Sequence, residues 1–438
     1  MQLGSPGVRR QFKRWLFIAM FCNGKLQPLE KNQPLQIIYL HPHFVSDGGA
    51  GRMVLETARR LAECGHQVHV ICIRADRAII GKAGDNIQFH QIDVPLSSSI
   101  WFWIRFNHSR QQVLKVIDAI ASNADGMKTV LFPQVFPANW WGAFIVTYRP
   151  QFASVWYCQE PSAFIHSAVW KRSLPWPKNW IAIVIAPFMA WLDRRFCGRF
   201  SRVLVNSDFS RRSVIEAYGF ADQACRIVYL GVDHQRFTPH SSTIRKPWVC
   251  VIAKITRFKN VDAIVRAIAE LVRRGLTEVH LHVVGVGDAL EECQRTAEAA
   301  GITSQVTFHG RLGDDRVVDL LQQSRVFCLA SADEPFGLVV VEALACGTPV
   351  VAMNNGGPLE ILKDLGCGKL CEAVDAIHIA DALEHFLTMD DDSFAAVSSE
   401  ATRRASEFRW EHAAQEIETE LVRSASLSRA SIPVDVVR

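Results

Sequence analysis

Long apolar runs are missing from this chain of 438 residues. None reaches the length of about 18 residues that a membrane-spanning helix needs. No C-x-x-C pair occurs, and of the twelve cysteines only Cys367 and Cys371 lie close together. That pattern argues against a zinc site and against a secreted disulfide framework, and points to a reducing cytosol. His41, His43 and His166 are the histidines of note, and no pair has metal-ligand spacing on a helix. A Gly-x-Ser-x-Gly elbow, a Walker loop and a paired His and Cys nucleophile are all absent, which removes the serine-hydrolase, P-loop and cysteine-protease classes. There is no repeat of fixed period and no low-complexity tract.

What is present is ordinary for a globular enzyme: 49% hydrophobic residues, 26 glycines and 18 prolines. The length is too great for one compact core and predicts two domains. A net charge of +4 hides an asymmetry, with 28 Lys and Arg against 15 Asp and Glu in residues 1–240, and 20 against 29 in residues 241–438. The basic first half reads either as a face for an anionic membrane or lipid carrier or as surface that aids solubility. The expected location is cytoplasmic, with peripheral contact at an anionic membrane, and nothing points to nucleic acid. Trp15 to Cys22 is an apolar run behind Arg9, Arg10, Lys13 and Arg14. It resembles a signal peptide, but nothing beyond it looks like an exported domain, so residues 1–34 are expected to be an extension. A second apolar run, Trp180 to Leu192, is flanked by Lys171, Arg172, Lys178, Arg194 and Arg195. It reads as an interfacial helix with Trp170, Trp176, Trp180 and Trp191 as anchors, or as a core helix.

From Leu35 onward short apolar runs alternate with helical segments, the pattern of parallel sheets covered by helices. Leu35 to Leu40, Met53 to Cys64 and Val68 to Ile73 make a first βαβ unit. A second series opens at Val249 to Ile252 and continues through the helix Val261 to Arg273, the strand Val279 to Val284 and the helix Ala289 to Ala300. The fold class is therefore α/β, with two Rossmann-like domains at 35–232 and 248–423, a linker at 233–247 and a tail at 424–438. Ligands of such sheets bind at the carboxyl ends of the strands, in the cleft between domains.

The most informative stretch is Ala332 to Val351, which places Glu334 in a turn marked by Pro335 and Gly337, and Glu342 eight positions on, in an apolar helical run. The N–H groups of Phe336, Gly337 and Leu338 open that helix, where unpaired donors and the helix dipole attract phosphate. A carboxylate among Leu338 to Val341 and Ala343 to Ala345 needs a partner. Ser46 to Gly51, with Gly48 and Gly49, forms a Gly-rich turn between the first strand and its helix, suited to close approach by a phosphate or simply to a tight turn. Lys254 and Lys259 put cations at both ends of a loop, able to clamp a departing diphosphate. Gly285-Val-Gly287-Asp288 lacks the full dinucleotide spacing and reads as a turn near the cleft.

In this order these motifs resemble the retaining glycosyltransferases of family 4, with the GT-B fold of two facing Rossmann-like domains and an interdomain cleft. The resemblance runs from about Gln36 to about His412. It rests on Gly48-Gly49 with Gly65-His66, Val205 to Ser210, Gly231 to Asp233 with Arg236-Phe237, Lys254 to Lys259, and the Glu-x7-Glu of Glu334 and Glu342. It implies a hexosyltransferase that moves mannose or glucose from a nucleotide-diphosphate sugar to a hydroxyl of a lipid-linked or cell-envelope glycan, with neither cofactor nor metal. By resemblance, Glu334 stabilises charge at the anomeric carbon and Glu342 accepts from the ribose, while Lys254, Lys259, Gly49 and the amides of Phe336 to Leu338 hold the diphosphate. Two departures stand out. Lys254 and Asn260 replace the usual Arg and Gly, and Gln159 replaces a histidine that contacts the donor sugar, with His166 as a nearby substitute. The alternatives are a GT-B nucleotide-sugar epimerase and a non-catalytic nucleotide-sugar binder within a glycan assembly complex.

Overall fold

The computed structural model describes residues 33–45, 48–81, 84–97, 99–240 and 245–427. Nearly all of the expected extension 1–34, Ser46 and Asp47 of the Gly-rich turn, and the expected tail beyond Leu427 lie outside the described residues. From Leu35 the chain packs as one compact unit, built on two large parallel sheets with smaller ones beside them.

The first sheet consists of β1 (Leu35–Leu40), β2 (Gln67–Cys72), β3 (Ile87–Gln91), β4 (Lys128–Pro133) and β5 (Ala153–Ser154), in the order β3-β2-β1-β4-β5 and parallel throughout. All six residues of β1 are buried, because in a parallel sheet helices cover both faces and polar alternation is lost. Three short strands, β6 (Trp156–Tyr157), β7 (Val203–Val205) and β8 (Cys225–Ile227), form a separate parallel sheet in the order β8-β7-β6. The second half carries a six-stranded sheet of β9 (Lys246–Ile252), β10 (His280–Val284), β11 (Val306–Gly310), β12 (Ser324–Leu329), β13 (Val350–Met353) and β14 (Gly368–Cys371), ordered β11-β10-β9-β12-β13-β14.

The helices that position the site are α1 (Gly49–Glu63), α2 (Ala163–His166), α3 (Ala168–Ser173), α4 (Lys178–Cys197), α5 (Asp208–Tyr218), α6 (Val261–Arg273), α7 (Leu338–Ala345), α8 (Gly356–Leu362) and α9 (Trp410–Leu427). α1 and α6 bury aliphatic stripes at helical spacing, Met53, Val54, Ala58 and Leu61 in one and Val261, Ile264, Val265, Ile268 and Leu271 in the other. α4 is different. Only Asp193 and Cys197 of its twenty residues are buried, so the core-helix alternative for Trp180 to Leu192 is set aside. Among the described residues no helix is long and apolar enough to cross a membrane.

The expected domain limits shift at the end of the chain. α9, placed in sequence with the second domain and tail, lies against α1, β4 and β5 of the first. Glu420 on α9 is buried and takes Arg202 Nε at 2.6 Å, while Lys128 Nζ donates to the Ala425 carbonyl at 3.0 Å. The chain thus crosses between domains twice, and the crossings touch. Val232 pairs with Arg409, and the Val232 N–H donates to the Phe408 carbonyl at 3.2 Å. A Cβ on Gly231 would fall 2.1 Å from the Trp410 nitrogen, so only glycine lets the two backbones pass.

Candidate active site cleft

A cleft of about 1060 Å³ lies between the domains, lined by segments that follow the carboxyl ends of β1, β6, β7, β9 and β12. Two helix N-termini converge there. α1 starts at Gly49 behind an extended Gly48, and α7 starts at Leu338 behind Gly337, which adopts a left-handed φ of 89°. A Cβ on Gly49 would sit 3.9 Å from the Leu338 side chain. Unpaired N–H donors and two dipole ends thereby share one end of the cleft.

Glu334 stands in the turn before α7. Lys259 Nζ donates to its Oε2 at 2.6 Å, and both side chains are largely shielded from solvent. The turn is pinned from behind by α8. The Gly357 N–H donates to the Glu334 carbonyl at 2.8 Å. Gly356 has φ 68°, and a Cβ there would lie 2.3 Å from the same carbonyl oxygen; one on Gly357 would lie 2.4 Å from the Phe336 Cα. Phe336 itself is buried against Tyr229 and Phe408.

The loop after β9 is held as closely. Gly285 and Gly287 carry their Cα hydrogens where a Cβ would strike the Ala253 and Ile255 carbonyl oxygens at 1.9 Å, so the Gly-Val-Gly turn supports Lys254 from beneath. Asn260 takes the left-handed conformation, φ 51°, and its side chain donates to the Ala330 carbonyl at 2.8 Å. Asparagine suits this position because, after glycine, it is the residue that most readily takes this conformation. Lys254 is exposed on the cleft wall and, among the described residues, forms no ion pair.

Glu342 lies behind the wall. It is 4% exposed and pairs with Arg52 of α1, which also holds Asp314 at 3.0 Å. Burial pushes the Glu342 carboxyl up to about 7, helped by Asp314 and opposed by Arg52. On the first-domain wall, Gln159 is buried, and among the described residues its Nε2 has no hydrogen-bond partner. Its backbone carbonyl accepts from Ser210 Oγ at 2.9 Å. Glu160 faces the cleft water while protein surrounds it on its other sides, and desolvation, then the charge of Glu334, push its carboxyl up to about 7 against the pull of Lys259. His166 lines the cleft too, but its Nε2 is 2.8 Å from Asp193 Oδ2. Asp193 is fully buried and also accepts from Trp140 Nε1 at 2.6 Å and the Tyr218 hydroxyl at 2.8 Å.

The structure therefore brings Gly49, Gln159, His166, Lys254, Lys259, Glu334, Phe336, Gly337 and Leu338 to one cleft, with Gly48 capping α1 beside it and Glu342 tied to Arg52. The sequence reading missed Arg52, Glu160, Gly356, Gly357 and Glu360. Glu360 accepts from the Asp208 and Phe209 N–H groups at 2.9 and 2.8 Å, joining α8 of one domain to the start of α5 in the other. The one sequence signal for α8 was Gly-Gly-Pro opening a helix.

Comparison with known proteins finds a family match in each half of the chain. Residues 47–236 match the family described as Glycosyltransferase Family 4, and residues 236–404 match Glycosyl transferases group 1. The chain belongs to glycosyltransferase family 4. Among curated relatives, a D-inositol 3-phosphate glycosyltransferase of Corynebacterium jeikeium is 33% identical over 232 residues, covering 49% of this chain and 55% of that protein. Its counterpart in Corynebacterium aurimucosum is 26% identical over 406 residues, covering 85% and 90%. The chain spans about half the length of most of the curated relatives it matches. Among solved structures, HepE of Anabaena, in complex with UDP and glucose, aligns with a TM-score of 0.68 at 21% identity, over 88% of this chain and 99% of that one. Sucrose-phosphate synthase of Thermosynechococcus elongatus aligns with a TM-score of 0.71 at 18% identity, over 89% and 98%. At these identities the likeness establishes the GT-B fold of this family 4 chain.

Proposed function

We propose that this family 4 chain transfers a hexose of the mannose or glucose type from a nucleotide-diphosphate sugar to a hydroxyl of a lipid-linked or cell-envelope glycan, with retention at the anomeric carbon and without a metal. The observation that carries the reading is the Lys259 to Glu334 pair beside the converging N-termini of α1 and α7. The diphosphate would lie between those N-termini and the two lysines, Lys254 helping to hold it and Lys259 neutralising charge as it departs. Glu334 faces the sugar, where a carboxylate stabilises positive charge developing at the anomeric carbon. The departing phosphate oxygen takes the proton of the incoming hydroxyl, so no protein base is needed on that face. The free Nε2 of Gln159 is a donor awaiting a sugar hydroxyl or phosphate oxygen. The Arg52 contact with Glu342 would have to yield, or share its carboxylate, for Glu342 to accept from a ribose.

Incubation with UDP- and GDP-sugars and an acceptor panel tests this, the panel including an inositol 3-phosphate, the acceptor named for the curated relatives. Donor turnover that survives Glu334→Ala would overturn the assignment. One observation favours the epimerase alternative. Glu160 and Glu334 line the one cleft from opposite domains, with the Glu160 carboxyl raised, and so offer a cleft acid and base. Product analysis without acceptor separates the two, since an epimerase converts the nucleotide sugar alone.

A further inference from the structure

We propose that α4, with the turn leading into it, docks on the surface of an anionic lipid bilayer and sets the acceptor side of the cleft against that surface. This deepens the glycosyl-transfer reading and rests on it only for the acceptor; the docking itself does not. α4 has twenty residues and a length of about 30 Å. Its first four turns present Trp180, Ile181, Val184, Phe188 and Trp191 to solvent, with Trp180 64% and Phe188 61% exposed. Trp176, in the preceding turn, is 83% exposed. Scattered exposed apolar residues need no explanation, but a whole helix of them marks a contact surface.

Charge and chemistry select the partner. Between residues 161 and 200 six lysines and arginines face a single carboxylate, Asp193, and that carboxylate is buried on Trp140, Tyr218 and His166. Arg172 and Lys178 precede the apolar stretch and Arg194, Arg195 and Arg199 follow it, all of them exposed. Cations at both ends with tryptophans between them suit an anionic headgroup layer above an acyl boundary. A second copy of the chain suits the face poorly, because a two-fold axis would set these cations against one another. The helix lies on a membrane and does not span it. Its inner end is fixed by the Asp193 network, and there Ala190, Trp191 and Arg194 line the cleft together with His166, Val169 and Trp170. The apolar face therefore runs into the site, and an acceptor carried on a lipid reaches it without leaving the bilayer.

Vesicle flotation with the full chain tests the proposal, using phosphatidylcholine alone and with phosphatidylglycerol, at low and high salt. The wild type should float with the anionic vesicles, with binding falling at least tenfold in Ile181→Glu/Val184→Glu/Phe188→Glu and in Arg172→Glu/Lys178→Glu/Arg195→Glu. Melting temperature and the thermal shift with UDP or GDP should stay unchanged in both variants, because every substituted side chain is exposed and outside the cleft. A wild type that remains soluble with anionic vesicles overturns the proposal. So does equal binding by the apolar variant, or a dimer in light scattering that this variant disperses. Loss of donor turnover with flotation intact would overturn only the glycosyl-transfer reading.

Discussion

Arg52 on the first helix of the first domain ion-pairs with Glu342 on the helix that opens the donor side of the cleft, 290 residues away in the chain. The same guanidinium holds Asp314, so one side chain ties the two domains together next to the converging helix N-termini. Arg52→Met leaves a buried carboxylate without its cation, a change that typically costs about 3 kcal/mol. The variant should melt several degrees below the wild type in calorimetry. An unchanged melting temperature would show that Glu342 finds another partner.

Glu342 and Glu160 both carry carboxyls raised to about 7 from an ordinary 4.5. A raised pKa means the folded chain holds these protons more tightly than the unfolded one. Their stabilisation is thus fully present below pH 4.5 and is lost as pH rises through 7. In denaturant titrations between pH 5 and 8 this falling component opposes the rise contributed by His41, His69 and His282, whose pKa values burial lowers, and the falling component should shrink in Glu342→Gln. Glu160→Gln should shrink it less, because that side chain faces cleft water. A Glu342→Gln profile that falls more steeply with pH than the wild type would contradict this.

Gly356→Ala should damage the site rather than just the fold. Its left-handed φ strains any side chain, and the added Cβ meets the Glu334 carbonyl. Gly275→Ala is the control, since Gly275 is also left-handed, φ 101°, with open space around it. Both should lose about 1 kcal/mol or more of stability. Only Gly356→Ala should also lose the thermal shift given by a nucleotide, a difference differential scanning fluorimetry resolves.

Much of this was legible in the sequence because the second half obeys local rules. The helix Val261–Arg273, the strand His280–Val284 and the helix Leu290–Ala299 fall where periodicity placed them, to within one residue at each end, since each apolar face has one sheet to cover. The first half was less legible. The strand Ile87–Gln91 and the helix Ala138–Tyr148 were missed, because their burial is set by partners distant in sequence. α9 could not be assigned to its domain from sequence either; its apolar stripe fits any groove, and only Arg60, His66 and Arg202 meeting Glu411, Glu418 and Glu420 reveal which. Gly49, Lys254, Lys259, Glu334 and Gly337 were legible because glycines and charges at strand ends carry chemistry directly, whereas Gln159 was named only through the family resemblance. Arg52 was missed because its partners lie in the other domain.

The two cleft lysines should separate kinetically. Lys259 touches Glu334 and lies where the leaving group would depart, so Lys259→Met should lower kcat/KM by about a hundredfold, near 2.7 kcal/mol of transition-state stabilisation. Lys254 is exposed and, among the described residues, forms no ion pair, so Lys254→Met should act mainly on KM for the donor. Equal kcat losses in both would place Lys254 on the leaving group as well.

The central claim turns on Glu334. Purified chain should be compared with Glu334→Ala and Glu334→Gln for release of nucleotide from UDP- and GDP-sugars in the presence of acceptor, with the nucleotide thermal shift recorded alongside. Both variants should still shift with nucleotide while turnover falls by at least a hundredfold. Turnover at the wild-type rate in either variant, with the shift intact, would contradict that claim.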